Sequence, residues 1–146
     1  MRAIIFDLDH TIFSTETTLR DGVKDLLAIL QRLGIAVGGL SSADVRVLAR
    51  LEEASARSHF DTVLCADQVL GPKEVTGLEH MLYLLGARAE ESVLVSHAYS
   101  DILLGKDAGL QRTIGVAHGK DGIASLAAAG ADHIVSNVSA VLDVLE

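Results

Sequence analysis

Two aspartates, Asp7 and Asp9, follow directly on the apolar run Ala3-Ile4-Ile5-Phe6. In extended chain alternate residues share a side, so the two carboxylates point the same way, with Cα atoms roughly 7 Å apart. Like charges held together repel, and relief comes from a bound cation, from a raised pKa on one partner, or from solvent. The first two suit nucleophilic or acid–base chemistry; the third describes solvated acids closing a strand, and the pair alone leaves all three open. Further along, Ser41 ends the run Ile35-Ala36-Val37-Gly38-Gly39-Leu40, and Lys73 follows Gly71-Pro72. Ser41 could bind a phosphoryl oxygen beside a helix N-terminus or, with Ser42 and Asp44, cap a helix starting near Ala43. Lys73 could balance an anion or be a solvated lysine of a first helical turn.

The elements that must position these residues are legible as alternation. Short apolar runs predict strands at Ala3–Phe6, Ile35–Leu40, Thr62–Cys65, Ser92–Val95, Arg112–Val116 and His133–Val135. Longer stretches of helical period lie between them: Asp21–Leu33, Ala43–Arg57, Lys73–Leu85, Ser100–Ala108, Gly122–Ala129 and Val138–Leu145. Four helices end at Leu33-Gly34, Leu85-Gly86, Ala108-Gly109 and Ala129-Gly130, each with a strand soon after, which is helix-stop, strand-start punctuation. The pattern predicts an α/β, doubly wound, Rossmann-like parallel sheet, whose ligands sit at the carboxyl ends of the strands.

The chain has 146 residues, 12 basic and 20 acidic, for a net charge of −8. That length suits one domain over residues 1–146, and a 49% hydrophobic content supports a real core, so disorder and fibrous repeats are excluded. Five aromatics and an acidic balance oppose a nucleic-acid partner. Cys65, the one cysteine, has no disulfide partner within the chain. No secretory or membrane-spanning run opens the sequence, so no membrane partner is expected and the expected location is cytoplasmic.

The string Phe6-Asp7-Leu8-Asp9-His10-Thr11 after a buried first strand resembles the first motif, D-x-D-x-T, of the haloacid dehalogenase superfamily. The resemblance implies a phosphohydrolase in which Asp7 attacks phosphorus to form an aspartyl phosphate and Asp9 acts as general acid and base. Ser41 matches the second motif and Lys73 the third, although the family usually writes Lys-Pro where this chain has Pro72-Lys73. Both would bind the phosphoryl group. The fourth motif usually reads Gly-Asp-x-x-x-Asp after a strand; here Ser92-Val93-Leu94-Val95 leads into Ser96-His97-Ala98-Tyr99-Ser100-Asp101. Asp101 matches the second acid, His97 stands in place of the first, and Ser96 replaces the glycine.

By that resemblance the cofactor is Mg²⁺, held by Asp7, Asp9 and Asp101, with His97 a candidate ligand for Mn²⁺ or another divalent cation, because imidazole suits softer metals than Mg²⁺. The segments His59 to Val69 and Gly130 to Val135 look like the phosphoglycolate-phosphatase-like branch. The motifs keep their order, 32 residues from Ser41 to Lys73 and 28 from Lys73 to Asp101. That branch normally inserts a cap domain, for which this chain has no room. A capless member implies an open crevice, a phosphorylated small molecule or protein as partner, and homo-oligomerisation as one way to supply a lid. Two rivals stand beside this reading. One is a catalytically impaired domain of the same fold with a binding or regulatory role, suggested by His97. The other is a phospho-receiver domain using Asp67, with His118-Gly119-Lys120 lying late for its lysine. The remaining histidines, His10 at the crevice included, are scattered without ligand spacing.

Overall fold

A computed structural model describes residues 1–14, 18–43, 45–65, 75–117 and 122–145; Asp67, Lys73, His118 and Lys120 lie outside them. Among the described residues six strands form one parallel sheet in the order β3-β2-β1-β4-β5-β6. They are β1 (Ala3–Asp7), β2 (Ala36–Leu40), β3 (Thr62–Leu64), β4 (Ser92–Ser96), β5 (Arg112–Val116) and β6 (His133–Val135). The helices are α1 (Val23–Arg32), α2 (Arg46–Glu53), α3 (Val75–Leu85), α4 (Tyr99–Asp107), α5 (Ile123–Ala128) and α6 (Val141–Leu145). The strand order reverses at β1, between β2 and β4, which is where a doubly wound sheet opens its ligand crevice. A receiver-type sheet runs 2-1-3-4-5, so β3 at the edge beside β2 overturns that rival.

Strand alternation divides the core between the two faces. Ile4 and Phe6 pack with Val37, Val93 and Val95 against Val23, Leu26, Leu27 and Leu30 of α1 and Val47 and Leu51 of α2. Those four α1 residues recur at i, i+3, i+4 and i+7, and burying each contributes about 1.5–3 kcal/mol. Ile5 faces the other way, with Leu40, Leu64 and Leu94, against Leu78, Met81 and Leu82 of α3. Asp7, two residues after Ile5, therefore emerges on the α3 side. The glycines of β2 make the helix packing close: a Cβ on Gly38 would lie 2.6 Å from Met81 Sδ.

The four helix-stop glycines all have left-handed φ, from 66° at Gly86 to 90° at Gly130. Strand starts are pinned by acids that share one geometry. Asp61 Oδ2 accepts the Val37 N–H at 2.8 Å, and Asp132 Oδ2 accepts the Thr113 N–H at 2.8 Å, so each edge strand grips its inner neighbour.

The structure departs from the predicted elements where side chains compete with the helix. The predicted helix Ala43–Arg57 is shorter, Arg46–Glu53, because Ser41 Oγ accepts the Ala43 N–H in a local turn. At its far end Ser55 adopts φ 57°, and Arg57–His59 forms a separate short turn. The predicted helix Val138–Leu145 divides because the Asn137 side chain caps a turn over Val138–Ala140 before α6 begins. No described helix is long and apolar enough to cross a membrane.

Candidate active site

After β1 the chain makes one wide turn, Leu8–Ile12, closed by the Phe13 N–H donating to the Leu8 carbonyl at 3.4 Å. Inside it Asp9 stays extended (φ −69°, ψ 127°) and His10 is left-handed (φ 64°), so the turn re-aims successive side chains. Arg20 Nη2 donates to the His10 carbonyl at 3.2 Å and props the turn from below; burial lowers the pKa of that guanidinium. Asp7 and Asp9 consequently address opposite neighbours of β1, Asp7 the end of β4 and Asp9 the end of β2.

Asp7 is fully buried. A buried carboxylate costs several kcal/mol unless donors surround it, and here they do. Thr11 Oγ1 donates to Asp7 Oδ2 at 2.9 Å, and His97 Nδ1 stands 3.0 Å from the same oxygen. The His97 backbone N–H donates to Thr11 Oγ1 at 3.1 Å, which locks the motif turn to the loop after β4. Register explains the next contact. Phe6 pairs with Val95, so Asp7 lies beside Ser96, whose Oγ is 3.4 Å from Asp7 Oδ2 and donates to Asp101 Oδ2 at 2.7 Å. Asp101, in the first turn of α4, is also buried. Both acids line a small pocket with Leu40, Leu78, Leu94 and Leu104.

Asp9 is held on the other side. Ser41 Oγ donates to its Oδ2 at 2.6 Å, and Arg50 Nη2 donates to its Oδ1 at 2.6 Å. Ser41 thus does not cap α2, whose N-cap is Val45; its hydroxyl bonds Asp9 while receiving the Ala43 N–H. His10 is exposed at the crevice, its ring edge-on to His97 with centroids 5.8 Å apart.

The structure thus assembles Asp7, Asp9, Ser41, His97 and Asp101 at the carboxyl ends of β1, β2 and β4, while Lys73 falls outside the described residues. It adds three residues to which the sequence reading gave no role. Thr11 closes the D-x-D-x-T string and Ser96 replaces a glycine, so both carried a signal. Arg50 carried none, because only the fold brings α2 over the turn.

Two of the acids expected to hold a divalent cation, Asp7 and Asp101, lie together and suit its preference for oxygen donors. Mg²⁺ commonly takes one or two carboxylates and completes its shell with water and phosphate oxygens, and Asp7 and Asp101 are two carboxylates joined through one hydroxyl. The Asp9 carboxylate, also expected among the ligands, accepts from Ser41 and Arg50. Among the described residues no three His, Cys, Asp or Glu side chains converge as a metal cluster.

No curated protein matches the chain in sequence. Solved structures share the fold at low identity. A presumptive beta-phosphoglucomutase from Thermotoga maritima superposes with TM-score 0.88 at 20% identity, covering 99% of this chain and 98% of its own. A HAD phosphatase from Thermococcus onnurineus gives 0.85 at 14% identity, with 99% and 98% covered. CbbY from Rhodobacter sphaeroides, in complex with phosphate, gives 0.81 at 19% identity, with 95% of each chain covered. Among the described residues no cap domain stands over the crevice, in keeping with the short connections read from the sequence. The pattern that defines the haloacid dehalogenase-like hydrolases matches residues 13–116, which begin just after the two motif aspartates and span most of the sheet. With that match over more than half its length, the chain belongs to the haloacid dehalogenase-like hydrolase family.

Proposed function

We propose that the protein is a phosphohydrolase that transfers a phosphoryl group from a phosphate monoester to Asp7 and then to water. The observation that carries this reading is the division of labour between two neighbouring carboxylates. Asp7 is buried and fixed by Thr11 and His97, whereas Asp9 is partly exposed and held from the opposite side by Ser41 and Arg50. Two carboxylates in different environments are what a nucleophile and a proton carrier require.

In the first step an Asp7 oxygen bonds to phosphorus as the ester P–O bond breaks, and Asp9 supplies a proton to the departing oxygen. In the second, water attacks the same phosphorus, Asp9 takes its proton, and the bond to Asp7 breaks to release phosphate. A bound divalent cation would be held by Asp7 and Asp101 and would offset phosphoryl charge. His97 replaces a carboxylate there, which removes a hard oxygen donor and favours Mn²⁺ over Mg²⁺. The substrate class is a phosphorylated small molecule or protein, since a crevice without a cap admits either.

The test is hydrolysis of an aryl phosphate with Mg²⁺, Mn²⁺ or Co²⁺ by wild type and Asp7→Asn. Turnover that disappears in Asp7→Asn supports the reading. A wild type silent in every metal beside an active His97→Asp would favour a binding role for a domain that has surrendered catalysis.

A further inference from the structure

Arg50 lies on α2, next to Leu51 and three residues after Val47, both of which are fully buried. Its position at the edge of that buried face carries the guanidinium over the Leu8–Ile12 turn. There Nη2 is 2.6 Å from Asp9 Oδ1, and Cζ stands 5.1 Å from the ring centroid of Phe13. Phe13 is itself packed in the core, so this cation–π contact is to a fixed surface. The Arg50 side chain is only 19% exposed and that of Asp9 18%. Ser41, whose N–H donates to the Leu64 carbonyl at 3.0 Å, is anchored at the end of the sheet and takes the other Asp9 oxygen.

We infer that Arg50 is a positioning residue for Asp9. With Ser41 it fixes both oxygens of that carboxylate, so α2 and β2 together aim a group whose own backbone lies in an irregular turn. The inference rests on the phosphohydrolase reading above, in which Asp9 carries the proton. Proton transfer by an aimed side chain contributes about 10²–10⁴-fold, and a misplacement of about 1 Å can cost about 10²-fold. Removing Arg50 should therefore cost most where the leaving oxygen needs a proton. An ethyl ester must leave as ethanol with a proton from Asp9, whereas nitrophenolate leaves unaided.

The experiment compares kcat/KM, which reports the step that forms the Asp7 acyl phosphate, for ethyl phosphate and nitrophenyl phosphate in wild type, Arg50→Met and Arg50→Lys. The expected result is a loss of about 10²-fold for ethyl phosphate in Arg50→Met, but within about threefold for nitrophenyl phosphate. Arg50→Lys, which keeps the charge, should give an intermediate ratio. Thermal melts check that the variants fold; if Arg50→Met does not, the ratio in Arg50→Lys decides. Equal losses on both esters, or no loss on either, would overturn the role of Arg50 while leaving the phosphohydrolase intact. A wild type that turns over neither ester would sink both.

Discussion

His97 Nδ1 and Thr11 Oγ1 meet at one oxygen of Asp7, at 3.0 and 2.9 Å, and lie 2.9 Å from each other. An ionised carboxylate only accepts, so a proton on Nδ1 makes this a charge-assisted anchor for Asp7. The histidine that interrupts the fourth motif is thus built into the site, not turned out of it. Restoring an acid there should rebuild the hard donor set: His97→Asp is expected to tighten Mg²⁺ binding by at least about tenfold. Calorimetric titration with Mg²⁺ reads this directly, and an unchanged affinity would mean that the His97 position does not face the cation.

Thr11→Val keeps the shape of the side chain and removes its hydroxyl. Asp7 then loses a donor in a buried setting, and the His97 N–H loses its acceptor. Removing one partner from a buried hydrogen-bonded group costs about 1–3 kcal/mol, so urea unfolding should show a loss in that range. A midpoint equal to that of wild type would show that water replaces the hydroxyl.

Far from the site, Asp132 ties β6 to β5 and α4. Burial alone would raise its pKa, but the Thr113 N–H at 2.8 Å, Lys106 Nζ at 3.2 Å and the Thr113 hydroxyl at 3.2 Å together hold it below the usual value. A carboxyl depressed in the folded state stabilises above its unfolded pKa of about 3.9, and that stabilisation is lost as pH falls through the folded value. Asp132→Asn should therefore melt below wild type at neutral pH, with the gap closing as the pH drops below about 4. A gap that stays constant through acid would show that the charge is not what matters.

Gly105 brings α4 against the sheet. A Cβ there would lie 2.8 Å from Thr113 Cγ2 and 3.0 Å from Leu94 Cδ2, both on side chains buried in the core. Alanine gains about 1 kcal/mol of helix propensity, but overpacking costs about 1–3 kcal/mol and falls on a stiff, β-branched neighbour. Gly105→Ala should thus unfold at lower urea than wild type; a higher midpoint would mean that α4 shifts freely.

The strands were legible to within a residue at each end, because a parallel sheet covered on both faces leaves unbroken apolar runs such as Ala3 to Phe6. The glycine stops were legible for the same reason that they work, since few other residues accept left-handed φ. The start of α2 was not: Ser41 attracts the Ala43 N–H and delays the helix by three residues, a choice made by tertiary contact with Asp9. In the site, motif positions could be read, but the partition of Asp7 towards β4 and Asp9 towards β2 could not. It depends on the Leu8–Ile12 turn and on Arg50, which sits 41 residues from Asp9 in sequence.

In the proposed reaction Asp7 accepts the phosphoryl group. Acid-quenching the protein during turnover of an aryl phosphate with Mn²⁺, followed by mass spectrometry of its peptides, tests this most directly. An acyl phosphate is expected on the peptide carrying Asp7 in wild type and none in Asp7→Asn. Turnover without any phosphorylated peptide, or the same label retained in Asp7→Asn, would contradict it.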